Sequence, residues 1–125
     1  MKKKSTTLTL YLKRKWFDLI KSGVKLEEYR EYNPYWCTRF VVKEPGFKDW
    51  VHVRIDYTEL VFTLGYPKKD DMSRRLVFKN PRIYIRTGKP EWGAEPGKPY
   101  FVITWDAPNA EEKNVSTDNL REEPV

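Results

Sequence analysis

The sequence predicts an α+β domain: a mostly antiparallel β-barrel of about six strands, with one main helix and a short second helix. Short segments that alternate apolar and polar residues recur along the chain, as expected for strands with one buried face. One segment near the N-terminus has helical periodicity instead. Closure into a barrel would remove the exposed edges of a small aromatic sheet. Aromatic residues make up 15% of the chain, enough for a few of them to fill such a core.

The first two predicted elements are a strand and the main helix. The segment from Leu8 to Leu12 alternates apolar and β-branched residues and predicts a strand. From Lys13 to Ser22 the period becomes helical, with a cluster on one side formed by Trp16, Phe17, Leu19 and Ile20. Gly23 follows directly, and glycine is the favoured residue for the left-handed cap that ends a helix.

The next segment predicts a short strand, a break and the second helix. Glu27 to Tyr32 has an extended pattern, and Asn33-Pro34 interrupts it because the residue before a proline is kept out of the α region. Pro34 to Val42 predicts one or two helical turns that begin at the proline. We expect Arg39 to stay free in this helix. We expect the apolar side chains to pack inward, namely Tyr35, Trp36, Phe40 and Val41.

The second half of the chain has strand patterns separated by loops. The predicted strands span Trp50–Ile55, Glu59–Leu64, Arg75–Lys79, Arg82–Arg86 and Tyr100–Trp105. The last is the most apolar, which predicts a central strand. A bulge or kink is expected at Asn80-Pro81, because proline cannot donate to a β-ladder. The segment from Gly88 to Pro99 contains three glycines and three prolines and predicts a structured loop.

Charge and composition divide the chain into three parts: a basic lead at 1–7, a barrel domain at 8–106 and an acidic tail at 107–125. We expect the lead and the tail to be disordered, since the tail has lost the apolar periodicity of the domain. The formal net charge is +6 and the pI about 9.4. A basic balance attracts polyanions such as RNA through their phosphates, although excess lysine also serves solubility alone.

The single cysteine, Cys37, and the single histidine, His52, limit the possible chemistry. One cysteine excludes an internal disulfide framework and fits a reducing cytoplasm. The two residues together cannot supply the usual zinc ligands. No apolar run approaches the roughly 20 residues needed to cross a bilayer. We therefore expect a cytoplasmic protein with no metal, no cofactor and no membrane contact.

The candidate site has the spacing G-x-K-x-x-E-x-R, filled by Gly23, Lys25, Glu28 and Arg30. Gly23 lets the chain turn tightly out of the helix. Glu28 and Arg30 share one face of a strand, whereas Lys25 joins them only if it lies in the turn. The lysine and the arginine can then hold a phosphate while Glu28 binds an amino or hydroxyl group of a base. The alternative is an exposed strand with solvated, paired charges.

This spacing resembles the signature of the ASCH domain, a PUA-like β-barrel family, and the match is closest to small stand-alone ASCH proteins of phages and bacteria. Further blocks of the resemblance occur in the same order between Leu8 and Trp105. They are K-W-F-D-x-I-x-S-G-x-K at 15–25, E-E-Y-R at 27–30, P-Y-W-x-x-R at 34–39 and G-K-P-E-W-G at 88–93. The resemblance implies a cleft lined by Lys25, Glu28 and Arg30 that binds RNA or a modified nucleotide or nucleoside.

Arg39 and Trp92 are further candidates for ligand binding. The family resemblance places Arg39 in the cleft, whereas on its own it is an ordinary surface arginine. Trp92 lies in the loop rich in glycine and proline, where it either stacks on a base or plugs the open end of the barrel.

Enzymatic activity is a second hypothesis. Some ASCH proteins deacetylate acetylcytidine and others are reported to cut RNA, so the resemblance allows a hydrolase with Lys25 and Glu28 as its catalytic residues. In the deacetylating type a threonine stands at the position of Glu28. A carboxylate there needs another role, such as general base for water. A third hypothesis is a protein-interaction module that uses the aromatic residues, and the sequence leaves the oligomeric state open.

Overall fold

The computed structural model describes residues 6–43 and 51–106, which form two α-helices and seven strands. The helices are α1 (Arg14–Lys21) and α2 (Pro34–Phe40). The strands are β1 (Thr7–Leu12), β2 (Glu28–Glu31), β3 (Val41–Lys43), β4 (Val51–Val53), β5 (Glu59–Leu64), β6 (Arg75–Thr87) and β7 (Pro99–Asp106). Outside the described residues lie positions 1–5 of the predicted basic lead, Trp50 and the predicted acidic tail at 107–125.

Five of the strands form one sheet in the order β1-β5-β6-β7-β2, and β3 pairs with β4 in a separate two-stranded sheet. The β1–β5 pair is parallel, and the other pairs are antiparallel. The prediction of an α+β fold with a mostly antiparallel sheet is confirmed. The interior position of β7, between β6 and β2, agrees with its strongly apolar sequence.

The prediction of a closed barrel is wrong. β1 and β2 are the outer strands of the five-stranded sheet, and within the described residues no ladder joins them. A side chain bridges the two edges instead: Arg30 Nη2 donates to the backbone carbonyl of Tyr11 at 2.9 Å. The short length of β2, four residues, limits the backbone pairing that it can offer to a second neighbour.

Several element boundaries differ from the sequence prediction. The strand predicted at Trp50–Ile55 is shorter, because β4 ends at Val53. Thr7 belongs to β1 and not to the predicted lead. Helix α2 ends at Phe40, and the next residues turn into β3 because Val41 takes an extended conformation. The two predicted segments around Asn80-Pro81 form one long strand, β6. The expected irregularity appears as a register shift against β7, with Asn80 at φ 55°.

Two apolar clusters hold the elements together. The larger cluster contains the three leucines of β1, Phe17 and Ile20 of α1, and Phe40 of α2, packed against residues of β5, β6 and β7. The smaller one consists of Ala94, Tyr100 and Val102, with Tyr29 of β2 packed against it. Strand β2 therefore contributes to the smaller cluster through Tyr29, while its neighbours Glu28 and Arg30 take part in the polar cluster described next.

Candidate functional site

Lys25, Glu28 and Arg30 meet in one cluster, which we call the charge triad. Lys25 Nζ donates to Glu28 Oε1, and Arg30 Nη1 donates to Glu28 Oε2. Lys25 is 2% exposed and Glu28 is 5% exposed, whereas part of the Arg30 side chain reaches the surface. The three head groups therefore converge as the spacing predicted, but two of them are buried and already paired with each other.

The end of α1 explains how Lys25 reaches Glu28. Gly23 has φ +83°, the left-handed conformation that glycine adopts without strain. The backbone N–H groups of Val24 and Lys25 then both donate to the Leu19 carbonyl, at 3.0 Å each. This wraps the chain back over the end of the helix and places Lys25 before the first residue of β2. Because Lys25 lies in the turn, strand alternation does not separate its side chain from Glu28.

Two aromatic rings flank the Lys25 ammonium. Its Nζ lies 4.6 Å from the centroid of the Trp16 ring and 5.7 Å from that of Tyr29, distances at which cation–π attraction operates. Burial lowers the pKa of Lys25; the Glu28 carboxylate opposes this effect, and the Arg30 charge adds to it. Burial of the Lys25 ammonium thus costs desolvation free energy. Its contacts with Glu28 and the two rings offset that cost.

The loop after β6 packs against these two rings. A Cβ atom added to Gly93, which has φ +103°, would lie 3.0 Å from the Trp16 ring. A Cβ added to Gly88 would lie 2.6 Å from the Tyr29 ring, too close for any side chain. The two glycines of G-K-P-E-W-G therefore allow the loop to approach the rings that flank Lys25.

Trp92 lies in a 3-10 turn of the same loop, half-buried, with Lys89 Nζ at 5.3 Å from its ring centroid. Trp92 thus belongs to the loop whose glycines approach Trp16 and Tyr29. Both sequence hypotheses for Trp92, base stacking and plugging, stay predictions.

Arg30 is held on several sides. Besides Glu28, its guanidinium donates to the backbone carbonyls of Tyr29, at 2.8 Å, and Tyr11, at 2.9 Å. Its Cζ atom lies 5.4 Å from the centroid of the Trp36 ring. The triad contains two cations and one carboxylate, so it keeps one uncompensated positive charge. Arg30 is its most exposed member, with 14% of the side chain exposed, so the excess charge lies nearest the surface at the guanidinium.

Helix α2 places aromatic rings beside the Arg30 guanidinium. Trp36 and Phe40, four residues apart, stack with centroids 5.3 Å apart on the inner side of the helix. Tyr35 and Arg39 form the equivalent pair on the outer side: Arg39 Nη2 donates to the Tyr35 hydroxyl at 2.9 Å. Tyr35 is 55% exposed, so the prediction that it packs inward is wrong.

Trp36 connects the two arginines, since the Arg39 Cζ atom also lies near its ring, 5.9 Å from the centroid. We call the surface formed by Arg30, Trp36, Arg39 and Tyr35 the Arg–aromatic surface. The sequence interpretation missed Tyr35 and Trp36 as site residues. A signal was present, because a helix of two turns has one inner side, and P-Y-W-C-T-R-F carries more large side chains than that side can bury.

The comparisons with known proteins returned nothing. No family model matches the chain, and no curated protein or solved structure is significantly similar to it. The relationship to ASCH domains stays a prediction that depends on the motif blocks of the sequence.

Within 6–43 and 51–106, no three His, Cys, Asp or Glu side chains are grouped so that they could hold a metal ion. No helix in this part of the chain is long and apolar enough to span a bilayer.

Proposed function

We propose that this protein is an RNA- or nucleotide-binding domain of the ASCH type, within the PUA-like group, and that the Arg–aromatic surface makes the ligand contacts. In this proposal Arg30 and Arg39 bind phosphate, the exposed Tyr35 ring stacks on a base, and the half-buried Trp36 lies beside it. The deciding observation is the uncompensated charge of the triad, presented at Arg30 beside a second, exposed arginine and two aromatic rings.

The physical basis is the match between these groups and a nucleotide. A guanidinium donates paired hydrogen bonds to phosphate oxygens and stacks on aromatic faces. Base–aromatic stacking contributes about 1–3 kcal/mol per base and tolerates any base. Two arginines that contact one tryptophan ring therefore combine both modes of recognition within a small area.

Lys25 and Glu28 take a supporting role in this proposal. Glu28 fixes the Arg30 guanidinium, and Lys25 neutralises the other carboxylate oxygen of Glu28. Both side chains are buried, so a ligand reaches Arg30 before it reaches either of them. Gly23 contributes through its backbone conformation alone.

A titration with a fluorescent hexauridylate, followed by anisotropy at several salt concentrations, tests the proposal. We expect Arg39→Ala to weaken binding about tenfold and to reduce the slope of log K against log salt by about 0.7, the value for one lost phosphate contact on a single strand. Arg39→Lys keeps the charge but loses the planar stacking, so it should recover the salt slope and only part of the affinity.

Lys79→Ala is the matched control. Lys79 is exposed and carries the same charge, but it pairs with Glu59 at the opposite end of β5 from the residues beside Tyr11. A general electrostatic attraction would make Lys79→Ala and Arg39→Ala equally weak binders. That result, or affinity that does not change with salt, would contradict the proposal.

A hydrolase is a second candidate because Lys25 is a buried lysine in contact with a carboxylate, and burial lowers its pKa, a combination that occurs at catalytic sites. The burial of Lys25 and its contact with Glu28 require the triad to open before that amine meets a substrate. Incubation with acetylcytidine and with short RNAs, beside a Lys25→Met variant, tests this candidate. Turnover by the native protein but not by the variant would establish it, and equal turnover would exclude it.

A third candidate, a protein-interaction module, is supported by the surface around Ile55. Ile55 is exposed and lies between two cavities of about 500 and 260 Å³, both of which also include Arg54 in their walls. Tyr84, also exposed, lines the smaller cavity together with Ile55, and an apolar patch of several residues is typical of a contact surface. Ile55→Asp should then abolish partner capture without changing nucleotide binding.

A further inference from the structure

The ends of β1 and β5 bring two distant parts of the chain together. These strands are parallel and in register, with Leu12 opposite Leu64. The residues that follow both strands therefore leave the sheet at the same end. This end carries an aromatic pair and several basic residues that the proposed function has not used.

Tyr11 and Tyr66 form the aromatic pair. Their ring centroids are 4.4 Å apart with an interplanar angle of 48°. Tyr11 is 52% exposed and Tyr66 is 83% exposed. A ring as exposed as that of Tyr66 adds little to the core, and an apolar ring face in water is available for contact with another flat apolar group.

Basic side chains flank the pair in the chain. Lys13 and Arg14 follow β1, and Lys68 and Lys69 follow β5; all four are exposed. The second loop is held in place by Arg75, whose Nη2 donates to the Lys68 carbonyl at 3.0 Å. The acidic neighbours are partly occupied: Asp71 accepts from the Ser73 backbone, Asp71 also pairs with Arg74, and Arg14 pairs with Asp18. Apart from these two ion pairs, Lys13, Lys68 and Lys69 outnumber the one further exposed carboxylate, Asp70, so this end keeps a net positive charge.

Arg30 connects this end to the Arg–aromatic surface. Its Nη2 atom donates to the backbone carbonyl of Tyr11, the residue that bears the first ring of the pair. Its guanidinium also contacts Trp36 on the other side. A chain of contacts thus runs from Tyr66 through Tyr11, Arg30 and Trp36 to Arg39.

We propose that Tyr11 and Tyr66 form a second base-stacking position, so that the ligand of the Arg–aromatic surface is an extended single-stranded nucleic acid of several nucleotides. This inference rests on the proposed function. One base packs on Tyr66, the backbone passes Arg30, and a further base reaches Trp36 and Tyr35. Stacking requires bases that are free of a duplex, which makes a single strand the ligand class.

Binding of ligands of increasing length tests the inference. Uridine monophosphate, hexauridylate, hexathymidylate and a blunt RNA duplex are titrated against the native protein, followed by intrinsic tryptophan fluorescence. We expect both single-stranded hexamers to bind more tightly than the monophosphate. Tyr66→Ala should weaken the hexamers on the order of tenfold and leave the monophosphate and the duplex unchanged. Tyr66→Phe, which keeps the ring, should bind like the native protein.

Tyr84→Ala is the matched control, because Tyr84 is an exposed tyrosine of β6 that contacts Arg86 and not the pair. The inference is overturned if Tyr66→Ala binds the hexamers as the native protein does, or if Tyr84→Ala weakens them equally. The Arg39→Ala variant distinguishes failure of this inference from failure of the proposed function. Loss of monophosphate and hexamer binding in Arg39→Ala, with no effect of Tyr66→Ala, would remove this inference and keep the proposed function. No effect of Arg39→Ala on any ligand would remove the proposed function itself.

Discussion

The charge triad and the Tyr35–Arg39 pair are built from similar side chains but differ in burial. In the triad, Lys25 and Glu28 are almost fully buried and have each other as partners. Tyr35 and Arg39 lie on the outer side of α2, where the guanidinium keeps donors that face solvent. Desolvation makes a buried charge depend on its partner, whereas an exposed charge can exchange water for a ligand. In the proposed function, Lys25 and Glu28 therefore support Arg30, and the exposed residues of α2 contact the ligand.

The largest expected effect tests the buried side of this comparison. Glu28→Ala leaves the Lys25 ammonium and the Arg30 guanidinium together without their carboxylate. We expect a loss of about 3–5 kcal/mol in the free energy of unfolding, the usual result of breaking a buried ion pair. Urea denaturation followed by tryptophan fluorescence measures it. Glu31→Ala, on the same strand with an exposed carboxylate that pairs with Lys98, should cost less than about 1 kcal/mol. Equal losses of unfolding free energy in Glu28→Ala and Glu31→Ala would contradict the difference between buried and exposed charges.

A smaller loss is expected where the loop meets Trp16. Gly93→Ala combines a left-handed backbone with a Cβ that lies 3.0 Å from the Trp16 ring. We expect a loss of about 2–3 kcal/mol in the free energy of unfolding. Gly97→Ala is the control, since Gly97 has φ +76° but nothing within 4 Å of an added Cβ, and it should lose about 1–2 kcal/mol. A cost for Gly97→Ala as large as that for Gly93→Ala would show that Trp16 is not the cause.

Tyr29, whose ring flanks Lys25, makes the free energy of unfolding depend on pH. Burial, together with its contact to Glu27, raises the pKa of Tyr29 to about 12 from an ordinary value of 10. The native state thus keeps a proton that the unfolded chain releases, so Tyr29 stabilises the fold below pH 10, and this contribution is lost as the pH rises toward 12. The native protein should lose more stability than Tyr29→Phe between pH 10 and 12, measured by urea denaturation at each pH. Identical pH profiles would refute the raised pKa.

The smallest expected effect on stability belongs to the exposed pair. Arg39→Ala removes a solvent-facing guanidinium, so the free energy of unfolding should change by less than about 0.5 kcal/mol. Thermal unfolding followed by circular dichroism is the measurement. A loss above about 1 kcal/mol would mean that Arg39 holds the fold together, and weaker ligand binding by the variant would then have a structural explanation.

The sequence predicted much of the fold because local patterns dominate its elements. The alternation in β1, the helical period of α1 with Gly23 after it, and the bounds of β5 are all visible within short windows. The parallel pairing of β1 with β5 joins residues about fifty positions apart, and no local pattern encodes it. The barrel prediction failed for the same reason: closure depends on how β1 and β2 meet, and a single arginine side chain bridges them.

The candidate site was predictable in part. The G-x-K-x-x-E-x-R spacing indicated Lys25, Glu28 and Arg30, and Gly23 indicated the turn that brings them together. Their burial was not predictable, because it comes from Trp16, Tyr29 and a loop more than sixty residues further along the chain. The outward position of Tyr35 follows from the side of α2 that packs on the core, which carries Trp36 and Phe40, and the local pattern does not show which aromatic residues that side takes.

Photo-crosslinking tests the central claim most directly. A hexanucleotide that contains 4-thiouridine is irradiated with the native protein, and the crosslinked tryptic peptides are mapped by mass spectrometry. Cleavage after Arg30 and after Arg39 releases the peptide at 31–39, which carries Tyr35 and Trp36. We predict that this peptide is a principal crosslinked product and that unlabelled hexauridylate suppresses it. Crosslinks confined to β4 and β6, with none at 31–39, would contradict the assignment of the Arg–aromatic surface as the binding site.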